Sequence, residues 1–364
     1  MKAFIMAAGY GTRLEPLTLA VPKPLVPIAN LPVMQRNIEL LVKYGLTEVY
    51  ANLHYFPEQI QNYFGHGSSY GVDLQYSLEK ELLGTAGGVK LMAKNMAKIK
   101  ETFVVLSSDA LTDIDLDKMI KYHKDKKALA TIALSRVDDI SQFGVALHDE
   151  ENRITGFQEK PKLEEALSSV ANTGIYIFEP EILELIPEGF YDFGSDLFPR
   201  LVKEKAALFG YLMSEYWSDV GSLDKYIEAN FDVLKGNLVA LVPGEKKSPE
   251  SWVGEQEIIS GQARLEGYTV IGDHCFIGKD VLVRDSIIGS RCHIADGATI
   301  SDSIIWPDAY IGKEVQVNKA IIGAHCRLTD GARVFDGAVL ANRVKVSKDM
   351  IVSPGARVIP NTAL

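Results

Sequence analysis

Two segments near the start of the chain contain the residue types that bind phosphate. Gly9-Tyr10-Gly11-Thr12-Arg13-Leu14 follows an apolar run, and Pro22-Lys23-Pro24 comes soon after it. Glycines after a strand let backbone N–H groups approach phosphate oxygens, and Arg13 and Lys23 add positive charge. The first segment is neither a P-loop nor a dinucleotide fingerprint, because Leu14 occupies the third glycine position of the fingerprint.

Three further segments place polar residues where a ligand could bind. An apolar run leads into Ser107-Ser108-Asp109, and an aspartate at the end of a strand is a common magnesium ligand. Glu81–Gly88 contains Gly84-Thr85, and Gly156–Pro161 contains Glu159-Lys160. Each has a plainer interpretation when taken alone: a surface carboxylate, a helix entry with a Gly-Thr cap, and an exposed hairpin charge pair.

Short apolar strands alternate with helical patterns up to about residue 236. The predicted strands are Ala3–Ala7, Glu48–Asn52, Thr102–Ser107 and Ala128–Leu134, and the predicted helices are Val33–Tyr44, Pro57–Phe64 and Leu116–Asp125. This alternation predicts an α/β domain with a Rossmann-like, mostly parallel sheet. Ligands of such sheets bind outside the carboxyl ends of the strands, where the segments above lie.

A different pattern follows Pro243–Pro249, which has the composition of a linker. From Ile271 to Val334, Ile, Val or Leu recurs in steps of six, six and five residues, a period of 17 residues. This rhythm predicts three short strands per coil and hence a parallel β-helix. We expect the α/β domain over residues 1–236, a linker over 237–262 and the β-helix over 263–364.

Three cysteines share one position of the repeat, four residues after a marker, where other coils have alanine: Cys275, Cys292 and Cys326. Free cysteine packs as a small apolar side chain, so we expect these in the β-helix core rather than in a metal site or disulfide. The adjoining histidines are expected to be surface turn residues: His274, His293 and His325.

Composition and charge exclude some partners. The chain has 364 residues, of which 47% are hydrophobic and 24% charged, and a formal net charge of −10 at pH 7. We therefore expect neither nucleic acid nor an anionic membrane as a partner, whereas a few local cations can still bind a small phosphorylated substrate. No apolar run approaches the roughly 18 residues that span a bilayer. Met1–Ala8 lacks the basic start of a signal peptide, so we expect a buried strand there and a location in the reducing cytoplasm.

Taken together, these motifs resemble the nucleotide-sugar pyrophosphorylases, or sugar-1-phosphate nucleotidyltransferases, over essentially the whole chain. Gly9–Leu14 with Pro22-Lys23-Pro24 is similar to that family's triphosphate segment, and Glu81–Gly88 to its base-recognition loop. The resemblance implies that the β-helix is left-handed, as in several branches of the family, and that Glu79 reads the base edge. It implies these nucleotide-binding residues: Ala8, Gly9, Gly11, Thr12, Arg13, Lys23, Glu79, Gly84 and Thr85.

The resemblance also implies a metal site and a sugar-phosphate site. Asp219, in Tyr216–Gly221, matches an aromatic-x-Asp-x-Gly segment of the family, so Asp109 and Asp219 would bind Mg²⁺. Lys160 would hold the sugar phosphate, and Glu159 would accept hydrogen bonds from sugar hydroxyls. The implied sugar-side residues are Gly144, Glu159, Lys160, Asn172 and Gly174, and the implied catalytic residues are Arg13, Lys23, Asp109 and Asp219.

The chemistry that the resemblance implies joins a nucleoside triphosphate to a sugar 1-phosphate and releases pyrophosphate. A sugar phosphate oxygen is already ionised at neutral pH, so no general base is needed. The barrier lies in bringing two anions together and in stabilising the departing pyrophosphate. Magnesium, with Arg13, Lys23 and Lys160, can do both by positioning and electrostatics. We expect in-line attack on the α-phosphorus without a covalent enzyme intermediate.

Several alternatives stay open for the substrates and for the β-helix. Leu83–Gly87 looks most like the mannose-1-phosphate guanylyltransferases, although glucose-1-phosphate thymidylyl- and uridylyltransferases share the scaffold. An inactive regulatory paralogue is less favoured because every charged position is filled, and an acyltransferase because no long loop interrupts the repeats. Ile287-Ile288, Ile304-Ile305 and Ile321-Ile322 could present one apolar edge. We expect the β-helix to form a homo-oligomer through such surfaces or to pack back on the α/β domain.

Overall fold

The two compact units of the chain do not follow the boundary expected from the repeat pattern. A computed structural model describes residues 1–137 and 139–364, apart from the side chains of Ala97 and Glu159. One unit contains Met1–Tyr10 and Val33–Asp219, and the other contains Gly11–Pro32 and Val220–Leu364. Gly11–Pro32 therefore belongs with the repeats, although its place in the sequence had assigned it to the α/β domain.

A nine-stranded sheet forms the first unit. Ala3–Met6 lies between Glu48–Leu53 and Phe103–Ser107 and is parallel to both. Asp73–Leu78 continues the parallel order beyond Glu48–Leu53. The predicted strands of this region are thus present, and the α/β fold is confirmed.

The parallel order ends at Val170–Phe178. This strand is antiparallel to Phe103–Ser107 and to Ala130–Arg136. The other strands of the sheet are Gly144–His148, Ile154–Glu159 and Leu208–Leu212. A separate two-stranded ladder joins Ala110–Thr112 to Trp217–Asp219.

Six α-helices lie in the described chain, and three of them are the predicted ones. They are Val33–Lys43 (α1), Pro57–Phe64 (α2), Gly84–Met92 (α3), Leu116–Asp125 (α4), Phe198–Lys203 (α5) and Leu223–Lys235 (α6). Asp115 caps α4, since its carboxylate accepts a hydrogen bond from Lys118 N at 3.0 Å. Ser222 caps α6 in the same way, accepting from Lys225 N at 3.3 Å.

Aromatic side chains fill part of the core of the first unit. Phe103, Phe178, Phe193 and Phe198 are all fully buried. The ring centroids of Phe103 and Phe178 are 5.7 Å apart, and those of Phe178 and Phe193 are 5.1 Å apart. Burial of one such side chain stabilises a fold by about 1.5–3 kcal/mol. The cluster therefore holds α5 against the sheet.

Stacked parallel strands form the predicted β-helix in the second unit. Its first sheet contains the parallel strands Ser251–Val253, Thr269–Ile271, Ile287–Ile288, Ile304–Ile305, Ile321–Ile322, Val339–Leu340 and Arg357–Val358. Glu245–Ser248 pairs antiparallel with Ser251–Val253 at the edge of this sheet. The second contains Ile258–Ile259, Phe276–Ile277, His293–Ile294, Tyr310–Ile311, Arg327–Leu328 and Lys345–Val346. The third contains Arg264–Glu266, Leu282–Arg284, Thr299–Ser301, Gln316–Asn318, Arg333–Val334 and Ile351–Val352.

The β-helix begins earlier than the expected residue 263. Ser251–Val253, Ile258–Ile259 and Arg264–Glu266 already form a coil, and each pairs in parallel with the strand of the next coil. The step from Val253 to its partner Ile271 is one residue longer than the later period, so the repeat pattern did not reveal this coil. Residues 251–262 of the expected linker are therefore part of the solenoid.

The shared cysteine position lies in the solenoid core, as predicted. Cys275, Cys292 and Cys326 are free thiols and each is at most 2% exposed. His274 and His325 are exposed turn residues with positive φ. His293 is exposed, as expected, but it lies in a strand rather than a turn, and its ring stacks between Phe276 and Tyr310, with ring centroids 4.6 and 5.2 Å away.

The expected apolar edge of the β-helix is covered within the chain itself. Ile287, Ile304 and Ile321 are at most 2% exposed, and Trp306 is 3% exposed. The chain thus already buries these side chains without a second copy. Homo-oligomerisation through the β-helix stays a prediction.

The buried cysteines should be unreactive in the native protein. Burial raises the pKa of Cys326 to about 12. The hydrogen bond between Cys275 and Cys292 raises the pKa of Cys292 and lowers that of Cys275, but Cys275 is only 2% exposed. We expect a thiol reagent at mildly alkaline pH to label none of the three cysteines until denaturant is added, because all three thiols are buried and out of the reagent's reach. Rapid labelling of the native protein, measured by absorbance, would contradict this core position.

Candidate active site

The short ladder brings the two predicted metal ligands together. Ala110, the residue after Asp109, is the Cα partner of Asp219 in the antiparallel pairing of Ala110–Thr112 with Trp217–Asp219. Both aspartates are half-buried and line one cleft, although they are far apart in the sequence. The structure therefore creates the paired carboxylates that the sequence only suggested.

Side-chain hydrogen bonds fix the ladder in register. Thr112 Oγ1 donates to the carbonyl oxygen of Tyr216 at 2.7 Å, and Tyr216 N donates to Asp113 Oδ1 at 3.0 Å. On the other side, Trp217 Nε1 donates to the carbonyl oxygen of Thr173 at 3.0 Å. The strand that carries Asp219 is thereby tied both to the segment after Asp109 and to the long strand Val170–Phe178.

Predicted sugar-side residues line the same cleft as the aspartates. Asn172 and Gly174 lie in its wall, together with Ser107, whose hydroxyl donates to Asp109 Oδ1. Gly174 has φ of 75°, and a Cβ there would lie 3.0 Å from Ser107 Cβ. Glycine at this position therefore lets the strand pass close to the residues that precede Asp109.

A second cleft adjoins the first, and Asn172 and Tyr176 line both. It contains Gly144, which pairs with Glu159 in the antiparallel strands Gly144–His148 and Ile154–Glu159. Lys160 follows directly, is exposed, and donates its backbone N–H to the carbonyl oxygen of Phe143 at 3.0 Å. Backbone pairing thus attaches the Glu-Lys-Pro segment to Gly144. The side chain of Glu159 lies outside the described part of the chain.

Thr85 and Gly84 are held by a segment that the sequence analysis did not identify. Thr85 Oγ1 donates to Asp192 Oδ2 at 2.8 Å and accepts from Phe193 N at 2.8 Å. Gly84 has φ of 72°, and a Cβ there would lie 2.6 Å from the carbonyl oxygen of Tyr191. Glycine is therefore required here because any side chain would collide with the backbone of Tyr191. The sequence Asp-Phe-Gly-Ser could have indicated the turn at Asp192, because an aspartate commonly accepts a hydrogen bond from the backbone two residues later. Here Asp192 Oδ1 accepts from Gly194 N at 2.8 Å.

Glu79 is placed differently from the expectation that its side chain reads a base. Its carboxylate is buried, with Oε1 accepting from Asn52 Nδ2 at 2.7 Å and Oε2 from Leu83 N at 3.0 Å. Asn52 Oδ1 in turn accepts from Ala7 N at 2.8 Å. A buried carboxylate needs such donors. Glu79 thus supports the loop before α3 and, through Asn52, the end of the first strand just before Ala8 and Gly9.

The glycine-arginine segment in the second unit is packed against its lysine. Gly11 has φ of 70°, and a Cβ there would lie 2.9 Å from Lys23 Cβ. Thr18 Oγ1 donates to the carbonyl oxygen of Gly11 at 2.9 Å. Thr12 and Arg13 are exposed, whereas Lys23 is only 9% exposed. The fold therefore brings Gly11 and Lys23 into one substructure.

The donor set at the aspartates fits magnesium. Two carboxylates supply hard oxygen ligands and leave the remaining positions to substrate phosphates and water, as is usual for Mg²⁺. Within the described residues, no group of three or more His, Cys, Asp or Glu side chains is arranged around a metal position. No described helix is both long and apolar enough to cross a membrane.

Sequence profiles identify both regions of the chain. The profile described as "Nucleotidyl transferase" matches residues 2–236, more than half of the chain. The chain belongs to the nucleotidyl transferase family. A second profile, described as the EIF2B subunit epsilon LbH domain, matches residues 250–352 and confirms a left-handed β-helix. The chain is thus a nucleotidyltransferase with a C-terminal solenoid.

Relatives of this nucleotidyltransferase use more than one base. The UTP–glucose-1-phosphate uridylyltransferase of Synechocystis sp. is 39% identical over 321 residues, covering 84% of this chain and 83% of that protein. A mannose-1-phosphate guanyltransferase of Debaryomyces hansenii is 36% identical over 269 residues, covering 73% and 72%. The structure of HddC from Yersinia pseudotuberculosis complexed with GMP-PN has a TM-score of 0.56 at 25% identity, covering 64% of this chain and 99% of that one.

Removing either carboxylate charge should nearly abolish turnover. We expect Asp109→Asn and Asp219→Asn each to lower kcat by about a hundredfold or more, as a loss of ~3 kcal/mol of charge stabilisation would give. Pyrophosphate release measures the rate, and circular dichroism checks the fold. The exposed Asp117→Asn variant in α4 is the matched control. Near-wild-type turnover at saturating magnesium would remove that aspartate from the metal site.

Proposed function

We propose that this nucleotidyltransferase joins a nucleoside triphosphate to a sugar 1-phosphate, forming a nucleotide sugar and pyrophosphate. The observation that carries the proposal is that Asp109 and Asp219 line one cleft, and that a neighbouring cleft, which shares Asn172 with it, contains Gly144. Gly144 pairs with Glu159, the first residue of the Glu-Lys-Pro segment. The two proposed metal ligands thus lie next to a recess of the size that small ligands use. The activities named for the relatives support this reaction.

The proposed roles divide between charge neutralisation and positioning. Arg13 and Lys23 bind the triphosphate and neutralise the leaving pyrophosphate, while Lys160 binds the sugar phosphate. Nucleotidyltransferases of this family use a divalent metal. Asp109 and Asp219 would hold Mg²⁺, which when bound supplies positive charge to the reacting phosphates. The ladder and the Trp217–Thr173 hydrogen bond keep the two aspartates in place before substrate arrives.

The proposed reaction needs no proton transfer to or from these residues. The phosphate oxygen of a sugar 1-phosphate is ionised near neutral pH and can attack the α-phosphorus directly. None of the proposed roles is that of a general base or a nucleophile. The enzyme's contribution is therefore alignment of two anions and electrostatic stabilisation of the departing pyrophosphate.

We propose GTP and mannose 1-phosphate as the substrates, giving GDP-mannose. The form of Leu83–Gly87 supports this choice, as do the mannose-1-phosphate guanylyltransferases among the relatives. UTP or dTTP with glucose 1-phosphate is the second candidate, favoured by the 39% identity to a uridylyltransferase. The hydrogen bonds of Glu79 to Asn52 and Leu83 hold the base-recognition loop and favour neither candidate.

Assays of a matrix of nucleoside triphosphates against sugar 1-phosphates test both the proposed reaction and the proposed substrates. We expect pyrophosphate release from GTP with mannose 1-phosphate to exceed that from every other pairing of four nucleoside triphosphates with mannose, glucose and galactose 1-phosphates. Asp219→Asn protein is the background control. A maximum with UTP or dTTP and glucose 1-phosphate would select the second candidate. No release above background in any pairing would contradict the enzyme activity and favour an inactive paralogue.

A further inference from the structure

A tight hairpin follows Lys23 in the chain. Pro27–Ile28 and Leu31–Pro32 pair antiparallel, and the two residues between them, Ala29 and Asn30, have φ of 45° and 65°. Two successive left-handed residues make the turn that Asn-Gly sequences usually supply. Ala29 carries a Cβ and keeps this conformation only where its surroundings hold it.

Two hydrogen bonds hold the turn. Asn30 Nδ2 donates at 2.8 Å to the carbonyl oxygen of Ile288, which belongs to the first sheet of the β-helix. Ala29 N donates at 2.8 Å to Asn230 Oδ1 of α6. Ala29 and Asn230 are fully buried, so water cannot replace this second bond when it is lost.

The next coil of the β-helix is bound to α6. Trp306 Nε1 donates at 2.8 Å to the hydroxyl of Tyr226, and the carbonyl oxygen of Tyr226 accepts from Asn230 Nδ2 at 2.7 Å. Tyr226 is fully buried and Trp306 is 3% exposed. Burial raises the pKa of Tyr226, so its hydroxyl is neutral. A continuous set of buried contacts therefore runs from Trp306 through α6 to Ala29.

The hairpin is coupled to Lys23 by the chain itself. Lys23–Leu25 forms a single 3₁₀ turn, and Val26 N donates to the carbonyl oxygen of Lys23 at 3.0 Å. Val26 alone separates this turn from the strand Pro27–Ile28. Because Lys23 packs directly against Gly11, a shift of the hairpin would also move the residues that follow Gly11.

We propose that Asn30, Asn230 and Trp306 are positioning residues through which the β-helix fixes Lys23 and Arg13 for the nucleoside triphosphate. The inference rests on the triphosphate-binding role given to Lys23 and Arg13 above. The solenoid would then contribute to substrate binding, although it is far in the sequence from Arg13 and Lys23. A purely structural role would alter stability without distinguishing one substrate from the other.

The two substitutions that test this are Asn30→Gly and Trp306→Phe. Glycine retains the left-handed turn and removes only the amide, and phenylalanine retains the buried ring and removes the N–H donor. We expect each variant to raise KM for the nucleoside triphosphate about fivefold, as loss of one hydrogen bond would give, with the KM for sugar 1-phosphate unchanged. The substrates are the pair with the highest turnover in the matrix.

Trp252→Phe is the matched control. Trp252 is also a buried tryptophan of the first β-helix sheet, with Lys246 Nζ 4.7 Å from its ring centroid. It should leave both KM values unchanged. Equal effects of Trp252→Phe and Trp306→Phe, or equal changes in the two KM values, would overturn the inference.

Hydrogen–deuterium exchange separates this inference from the proposed function. Peptides covering Gly11–Pro32 should exchange faster in Asn30→Gly and Trp306→Phe than in wild type, whether or not the protein turns over. Unchanged exchange would overturn the positioning role. Faster exchange with an unchanged KM for the triphosphate would overturn the link to substrate. If Lys23→Ala also leaves that KM unchanged, the failure lies in the proposed role of Lys23 itself.

Discussion

The antiparallel pairing of Ala110–Thr112 with Trp217–Asp219 is the contact on which the proposed chemistry depends. Two carboxylates repel each other, so a rigid backbone must hold them on one cleft and a bound cation must offset the repulsion. Here two hydrogen bonds fix the pairing, one on each side: Thr112 donates to Tyr216, and Trp217 donates to Thr173. The surrounding sheet serves to hold these few residues in register at the edge where its strands end.

The β-helix extends the same principle to the second unit. A solenoid strand has its carbonyl groups fixed by the coils above and below, so Ile288 O offers a rigid acceptor to Asn30. The exposed apolar edge suggested by the sequence is instead buried, and Trp306 on it contacts α6. The solenoid is thus built into the substructure that carries Lys23 rather than attached after it.

Local signals predicted much of this fold, and long-range pairing set the limits. The alternation of strands and helices and the repeat spacing revealed the α/β sheet, the β-helix and the buried position of Cys292, because each is encoded by neighbours in sequence. Other features depend on contacts between residues that are distant in the sequence. These are the adjacency of Asp109 and Asp219, the hydrogen bond from Asn52 to Glu79, and the grouping of Gly11–Pro32 with the repeats. No local pattern encodes them.

Binding of Mn²⁺, followed by electron paramagnetic resonance in the presence of the nucleotide-sugar product, tests the paired aspartates most directly. The account predicts a protein-bound Mn²⁺ signal in wild type. It also predicts that Asp109→Asn and Asp219→Asn each weaken the affinity by at least about tenfold, with Asp117→Asn unchanged. Wild-type affinity in both variants would contradict the claim that the ladder exists to hold a metal between these two carboxylates.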